Sequence, residues 1–342
     1  MRDSGRWAVA GLITVLLACG SVWWFVPSSA PTPRCEGGSP TAAPSDLPST
    51  GAMPEAPAST GGAASPAPPV PSATGRRCVD TSTSRTLRVL TFNIHSGFAT
   101  GHRGLRLDLI AAEIRASKAD VVLLQETDDG RARTNRVDQP AVLARATGTA
   151  YAFAANVVGP QNSRYGTTVL SRFPIVSSAN TYLPRPGATQ QRGLLHVVIQ
   201  VGEQRMSIYD THLENTSKVA RLQQIRRIVP VLRADPLPFI IGGDFNSGPL
   251  SPVLATARTA AADTWAAVGV GPGFTHPQHG PRVRIDYLLY RSGSGAQLAP
   301  IAAQVRRSTV SDHRMVSAAY RLTGAGDPVC LPLLDLGGRR GR

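Results

Sequence analysis

Five apolar segments of this 342-residue sequence lie next to side chains that can bind a metal ion or transfer a proton. The clearest is Phe239-Ile240-Ile241, which is followed by two glycines and then by Asp244 and Asn246. An apolar run that stops at glycine is typical of a buried strand followed by a tight turn. Asp and Asn are also ordinary turn residues, so this segment alone favours a turn over a catalytic group. The interpretation depends on whether other segments supply the rest of a site.

The other four segments repeat the arrangement. Asn93, Glu126 and His212 each follow a strand-like run, and Asp312 and His313 precede the last predicted strand. Carboxylate and amide oxygens are ligands for hard divalent cations. Histidine exchanges a proton near neutral pH. One such segment can be a coincidence, but five predict a functional site formed by strand ends.

Periodic patterns place these residues between secondary-structure elements. Helical spacing predicts helices over 108–114, 138–146 and 218–232. Strand patterns cover 85–94, 121–124, 151–158, 165–170, 175–182, 194–201, 206–209, 239–241, 283–290 and 316–322. On the third helix, an apolar stripe is expected to leave Arg221, Arg226 and Arg227 mostly in solvent. The chain from about 85 to 322 is long enough to bury a substantial core.

The net charge of the chain is +14, and nearly all of its basic side chains are arginines. The excess of basic over acidic residues persists within the globular part of the chain. Such a balance favours anionic partners, namely nucleic acid or acidic lipid headgroups.

The N-terminal part of the chain is predicted to attach the globular part to a membrane. Residues 1–26 contain two arginines followed by an apolar segment of bilayer-spanning length, which predicts a signal anchor with the remainder outside the cytoplasm. Cleavage after 28–30 and lipidation of Cys19 are the alternatives, giving a secreted protein or a lipoprotein. Residues 27–84, rich in Pro, Ala and Ser, predict a disordered linker.

Two cysteines flank the globular part in a chain predicted to be exported. A disulfide between Cys78 and Cys330 is therefore favoured, and a Cys35–Cys78 pair is the competing interpretation. The predicted domain covers 85–324, and a C-terminal tail follows over 325–342.

Seven motifs carry a resemblance to a known family. In order along the chain they are TFNIHSG, LLQET, YGTTVLSRFPI, THLEN, GGDFNS, RIDYLLY and SDHRMV. Over roughly 86–322 they resemble the endonuclease/exonuclease/phosphatase superfamily, which includes deoxyribonucleases, apurinic/apyrimidinic endonucleases, sphingomyelinases and inositol polyphosphate phosphatases. The resemblance implies an α/β fold, a four-layer sandwich of two packed, mainly antiparallel β-sheets flanked by helices, with a site at one edge.

The resemblance also implies a metal site. Glu126 is similar to the principal ligand of a divalent ion, and Asn93 and Asp312 are expected close to the same ion. The implied ion is Mg²⁺, with Mn²⁺ and Ca²⁺ as alternatives, because hard cations prefer oxygen ligands.

Catalytic roles follow from the same resemblance. Asp244 is similar to the residue that orients or deprotonates the attacking water, and Asn246 to one that contacts a phosphate oxygen. In some members both bind a second metal ion. His313 resembles a histidine paired with a carboxylate, here Asp286, and His212 a second histidine suited to protonating the leaving oxygen.

Tyr165 and Arg192 are expected to line the cleft, Arg192 as a phosphate contact. His95, two residues after Asn93, is a further residue that could line the pocket. The expected function is metal-dependent hydrolysis of phosphate esters, most simply as a nuclease cleaving phosphodiester bonds. The membrane anchor supports a phospholipid or sphingomyelin phosphodiesterase as the alternative, although no loop rich in Trp or Phe is evident. A non-catalytic binding domain is the third interpretation, and the oligomeric state stays open.

Overall fold

Apolar runs that end at polar residues build two β-sheets, which pack against each other through their aliphatic faces. The structure is a computed structural model and describes residues 76–79, 83–98, 104–187, 189–324 and 329–332. Its strands are β1 (Arg76–Val79), β2 (Ser84–Asn93), β3 (Val121–Asp129), β4 (Ala150–Val158), β5 (Arg164–Ser171), β6 (Ile175–Tyr182), β7 (Gly193–Val201), β8 (Gln204–His212), β9 (Phe239–Asp244), β10 (Ala262–Asp263), β11 (Asp286–Arg291), β12 (Ala296–Arg306), β13 (Met315–Gly324) and β14 (Val329–Pro332).

The two large sheets contain six strands each. Their strand orders are β12-β13-β2-β3-β5-β4 and β10-β11-β9-β8-β7-β6. Each sheet contains a single parallel pair among its described strands, β2 with β3 and β8 with β9, and the other neighbours are antiparallel. In both sheets the connection between the two parallel strands includes a helix, as a parallel crossover normally does.

In the part of the chain that the structure describes, five α-helices accompany the sheets: α1 (Leu107–Ser117), α2 (Gln139–Thr147), α3 (Lys218–Ala234), α4 (Pro252–Ala257) and α5 (Thr264–Val268). Side chains of α1 and α2 pack on the outer face of the first sheet, and side chains of α3 and α4 on the outer face of the second. A third cluster fills the space between the sheets, where Leu123 and Val169 meet Val197 and Ile240. The predicted four-layer sandwich is therefore confirmed.

Local sequence signals explain where several helices begin and end. Asp138 caps α2 by accepting a hydrogen bond from the backbone N–H of Ala141, and Gly148 ends that helix in the left-handed conformation. Ser217 caps α3 in the same way through Ala220. These caps agree with the predicted helices 138–146 and 218–232 to within two residues at each end.

Two short strands lie outside the predicted domain limits. β1 falls within the segment predicted as a disordered linker, and β14 falls within the predicted C-terminal tail. They pair with each other in an antiparallel register that sets Cys78 opposite Cys330. In an antiparallel pair, the Cα atoms of directly opposed residues lie about 4.5–5.5 Å apart, and this separation is within the Cα–Cα range of disulfides. The predicted anchor, residues 1–26, and Cys35 lie outside the described residues. None of the helices described between 76 and 332 is long and apolar enough to cross a membrane.

Candidate active site

Strand ends from both sheets converge at one edge of the sandwich. In the second sheet Asp244 is the last residue of β9, and its register partners are His212, the last residue of β8, and Asp286, the first residue of β11. In the first sheet Asn93 is the last residue of β2. Because β13 runs antiparallel to β2, the 311–314 segment that precedes β13 reaches the same edge. Topology therefore gathers side chains that are more than 200 residues apart in sequence.

Asp244 lies at the centre of this edge and is 2% exposed. Its Oδ1 accepts a hydrogen bond of 2.8 Å from the backbone N–H of Asn246. Its Oδ2 is 3.5 Å from His212 Nε2 and 3.7 Å from His313 Nε2. Burial, and then the neighbouring carboxylate of Asp286, raise the pKa of Asp244 to about 7 against the opposing effect of His313. A carboxylate with a pKa near neutrality is well matched to accepting a proton at physiological pH.

His313 and Asp286 form the predicted dyad. The Nδ1 of His313 is 3.0 and 3.1 Å from the two carboxylate oxygens of Asp286, and both side chains are buried. Burial alone lowers the pKa of His313, but the charges of Asp286 and Asp244 outweigh it and raise this pKa to about 10. The imidazole is therefore charged at neutral pH, with Asp286 on Nδ1 and Asp244 facing Nε2.

His212 has the opposite protonation preference. It is 5% exposed, and burial together with the positive charges of Arg192 and His313 holds its pKa well below the usual value. The site thus contains one neutral and one charged histidine on either side of Asp244. Two titratable groups of the same type held in opposite states are typical of sites with divided acid–base roles.

Asn93 joins the two sheets at the site. Its Nδ2 donates to Glu126 Oε1 at 3.1 Å and to Asp244 Oδ2 at 3.3 Å, and its Oδ1 accepts from the backbone N–H of His95. The hydroxyl of Ser311 donates to the Asn93 carbonyl at 2.7 Å and fixes the backbone beneath it. In this arrangement the amide NH₂ faces the carboxylates, so the ligand role of Asn93 stays a prediction and would use its oxygen in a turned orientation.

Glu126 lies within β3 rather than beyond its end. The predicted strand 121–124 continues to Asp129, and its pairing with β5 is interrupted by an irregularity between Leu124 and Thr127. At this bulge Glu126 adopts a left-handed φ of 59°, a conformation that non-glycine residues seldom adopt. The bulge keeps Gln125 and Thr127 buried while Glu126 becomes partly accessible. Asn246 has a similar conformation, with φ 49° and its Nδ2 bonded to the Leu213 carbonyl.

Asp312 is more accessible than Asp244 and Asp286, with 41% of its side chain exposed against 2% and 1%. Its two carboxylate oxygens are each 3.9 Å from a histidine nitrogen, one from His95 and the other from His276. The ring of His276 also lies 4.7 Å from that of His313. His95 was expected to line the pocket, and its position beside Asp312 is consistent with that expectation. His276 was not among the site residues proposed from the sequence, because its THPQHG context offers no signal apart from the residue type.

Arg192 and Tyr165 are both buried beside the site. Arg192 Nε is 3.5 Å from Glu214 Oε2, an ion pair that is almost completely inaccessible to solvent. Burial, and then the charge of Glu126, raise the pKa of Tyr165, while the positive charges of Arg192 and Arg133 oppose the shift. Arg133 lies over the tyrosine ring, with Cζ 5.4 Å from its centroid. Glu214 and Arg133 were absent from the sequence-based set of site residues.

The donor groups at this edge suit a hard divalent cation. Glu126 has one protein hydrogen bond to its carboxylate among the described contacts, and Asp312 is half-exposed. Two groups of side chains also have potential ligand atoms within 4.8 Å of one another: His276, Asp312 and His313 in one, Asp244, Asp286 and His313 in the other. Of these groups, the carboxylate oxygens are the donors that a hard divalent cation prefers.

Comparison with known proteins decides the family. Residues 90–313, which include every residue proposed for the site, match the model of the endonuclease/exonuclease/phosphatase family. The chain belongs to this family. Its members are hydrolases that act on phosphate esters and generally depend on divalent metal ions.

Similar proteins share the whole domain. YbhP of Escherichia coli strain K12, described as an uncharacterized protein, is 28% identical over 248 residues, which are 69% of this chain and 96% of YbhP. An endonuclease/exonuclease/phosphatase structure from Beutenbergia cavernae matches with a TM-score of 0.58 and 27% identity over 70% of this chain and 72% of that one. The human Nocturnin catalytic domain with a bound sulfate anion matches with a TM-score of 0.53 and 23% identity, over 73% of this chain and 98% of that domain. At 23% identity, the similarity to the Nocturnin domain shows a shared fold and nothing more.

Proposed function

We propose that this protein is a Mg²⁺-dependent phosphodiesterase that cleaves nucleic acid outside the cytoplasm. The observation that carries the proposal is the buried Asp244 carboxylate, whose pKa is near 7 and which lies between a neutral His212 and a charged His313. A buried base and a buried acid at one edge can remove a proton from water and return one to a leaving oxygen. Phosphodiester hydrolysis requires both transfers.

Asp244 is assigned to the attacking water. Its carboxylate orients a water molecule for in-line attack on phosphorus and accepts the proton that the water loses as its oxygen bonds to phosphorus. The backbone N–H of Asn246 holds Oδ1 of Asp244 in place, which leaves Oδ2 directed at the histidines. General-base catalysis of this kind typically contributes 10²–10⁴-fold to the rate.

His313 is the better proton donor for the leaving oxygen. The resemblance assigns that role to His212, but a histidine held neutral by burial has no readily released proton. His313 is charged, and its Nε2 faces the reacting edge. As the bond between phosphorus and the leaving oxygen breaks, His313 donates its proton there. His212 then acts as a neutral hydrogen-bond partner of Asp244 or of a phosphoryl oxygen.

Glu126 and Asp312, with the oxygen of Asn93, are the residues that would hold the ion. A bound divalent cation supplies neutralisation of the phosphoryl oxygens and of the charge developing on the leaving group. Arg192 is buried behind the site and held by Glu214, so the structure favours a role in fixing Tyr165 and the site wall over an open phosphate contact.

Arginines near the site support nucleic acid as the substrate. Arg131, Arg133 and Arg136 line a surface cavity of about 380 Å³. Arg131 and Arg133 lie over the ring of Tyr165. The charge of Glu126 raises the pKa of Tyr165, which shows that this ring lies close to the predicted metal ligand. Guanidinium groups gathered beside Tyr165 suit the phosphates that flank a scissile bond. The location outside the cytoplasm and the membrane attachment rest on the predicted anchor alone.

A substrate panel tests the proposal. Full-length protein in detergent is assayed with Mg²⁺, Mn²⁺ or Ca²⁺ on duplex DNA, single-stranded DNA, RNA, sphingomyelin and phosphatidylinositol. The expected result is cleavage of nucleic acid with Mg²⁺ and its loss with a chelator. Hydrolysis of the lipids with nucleic acid left intact would replace the nuclease by the lipid phosphodiesterase.

A further inference from the structure

A cavity of about 520 Å³ opens directly beside Asn246. The first turn of α3 forms one wall, and the segment from Asn246 to the start of α4 forms the other. Asn246 also contacts the catalytic edge, because its backbone N–H bonds to Asp244 and its side chain to the Leu213 carbonyl. A group bound in this cavity, here called the α3–α4 pocket, would therefore be attached close to the reacting phosphorus.

Aliphatic side chains form most of the pocket surface. Val219 and Leu222 lie on the α3 side, and Pro252 and Val253 lie on the α4 side. Val219 is 64% exposed although it belongs to a well-packed helix. Apolar groups that converge on a concave surface beside reactive groups are typical of a ligand site.

The same pocket has a positive end. The first turn of α3 carries Lys218 and Arg221 and no acidic residue. Cations near a helix N-terminus oppose the helix dipole, and this unfavourable arrangement is relieved when an anion binds at that position. Arg221 is only 8% exposed, and its Nε has no hydrogen-bond partner among the described residues.

Arg221 has a structural role as well. Its Nη1 donates to the carbonyls of Glu214 and Asn215 and so ties α3 to the segment that follows His212. These bonds explain how a guanidinium can be buried in a helix that was expected to expose it. These bonds involve Nη1 and leave Nε without a partner among the described residues. They do not explain why a second cation, Lys218, lies in the same turn, or why the apolar side chain of Val219 is exposed.

We infer that the α3–α4 pocket binds the nucleotide unit next to the scissile phosphate, with its base between the aliphatic walls and its further phosphate beside Lys218. This inference rests on the proposed phosphodiesterase function. A nucleotide combines flat apolar faces, polar edges and an anionic group, and the pocket offers aliphatic walls, the hydroxyl-bearing Ser247 and Ser251, and the cations of α3. A hydrocarbon chain would use the walls but would leave the cations unmatched.

The test compares two substrates with the same leaving group. Thymidine 5′-(p-nitrophenyl phosphate), with its 3′ isomer, carries a nucleoside, whereas methyl p-nitrophenyl phosphate carries a methyl group in its place. Val219→Glu puts a carboxylate on the pocket wall and is expected to lower kcat/KM for a thymidine ester about tenfold, the usual scale for spoiling an apolar contact. The methyl ester should change less than about twofold, because the catalytic edge is untouched. Ile301→Glu, at a 45% exposed position on β12, is the matched control and should affect neither substrate.

Equal losses on both esters, or no loss on either, would overturn the inference. So would a loss of short-chain phosphatidylcholine hydrolysis in Val219→Glu with the thymidine esters unaffected, which would assign the pocket to acyl chains. Hydrolysis of the methyl ester by the unsubstituted protein reports the proposed function separately. If no diester is cleaved, calorimetric binding of thymidine 3′,5′-bisphosphate decides: weaker binding to Val219→Glu supports the pocket, and equal affinities refute it.

Discussion

Replacing Asp286 by Asn should shift the pH dependence of catalysis through His313. The pKa of His313 is about 10 against the ordinary 6.5, and Asp286 is the carboxylate that raises it most. Removing one charged partner from a buried pair typically changes a pKa by about 1–3 units. We therefore expect the pKa of His313 to fall to about 8 in Asp286→Asn, while the amide keeps the hydrogen bond to Nδ1.

The consequence for activity depends on pH. At pH 9 the charged fraction of His313 would fall from roughly nine-tenths to roughly one-tenth, so kcat/KM should fall about tenfold through protonation alone. Below about pH 7 both proteins would hold His313 charged, and this contribution to the difference should vanish.

The assay is kcat/KM for the dinucleotide thymidylyl-thymidine, whose alkoxide leaving group needs a proton, between pH 5 and 11, with the His313 imidazole titrated by NMR in metal-free protein. Asp108→Asn, which removes an exposed carboxylate paired with Arg106, is the control and should leave the profile unchanged. A basic limb that stays near pH 10 in Asp286→Asn, or an NMR titration unmoved by the substitution, would refute this account of the dyad.

Three further predictions concern the stability of the metal-free protein, the Mg²⁺ dependence of activity and the binding of single-stranded DNA. Because folding raises the pKa of Asp244 from 3.8 to about 7, the stability that its protonated form contributes is present below pH 3.8 and is lost as pH rises through 7. The free energy of unfolding of the metal-free protein at pH 8.5 should therefore be higher for Asp244→Asn, by up to about 4 kcal/mol. The difference is read as a higher Tm, and an equal or lower Tm would contradict the burial argument. Glu126→Gln should raise the Mg²⁺ concentration for half-maximal activity at least about tenfold, as read from a Mg²⁺ titration, whereas Glu113→Gln should not. Arg136→Ala should reduce the slope of log K against log salt for single-stranded DNA by about 1, measured by fluorescence anisotropy, and an unchanged slope would place the nucleic acid elsewhere.

Sequence patterns identified most of the residues that meet at this edge because each of them borders an apolar run. Asn93, His212 and Asp244 each prove to be the last residue of a strand. What the patterns could not provide is the distance between them, since Asn93 and Asp244 come from different sheets and meet only after the sheets pack. The bulge at Glu126 could not be predicted either, because no residue type in this segment indicates that a glutamate adopts a left-handed backbone conformation.

Elements without a clear period were missed. β12 pairs along most of its length with β13 but contains four alanines, two glutamines and a proline, so it lacks the apolar alternation that marks a strand. Arg221 was expected in solvent because of its charge. It lies four residues before Ile225 on the buried stripe, and the backbone carbonyls that accept from its guanidinium make that position tolerable.

The central claim is metal-dependent phosphodiester cleavage by the edge that Asp244 occupies. Its most direct test is cleavage of a labelled single-stranded oligonucleotide by full-length protein and by Asp244→Asn, each with Mg²⁺ and with EDTA. The account predicts cleavage that EDTA abolishes, that added Mg²⁺ restores, and that Asp244→Asn reduces by about 10²–10⁴-fold while the protein stays folded. Cleavage that persists in EDTA, or that survives Asp244→Asn at the unsubstituted rate, would contradict it.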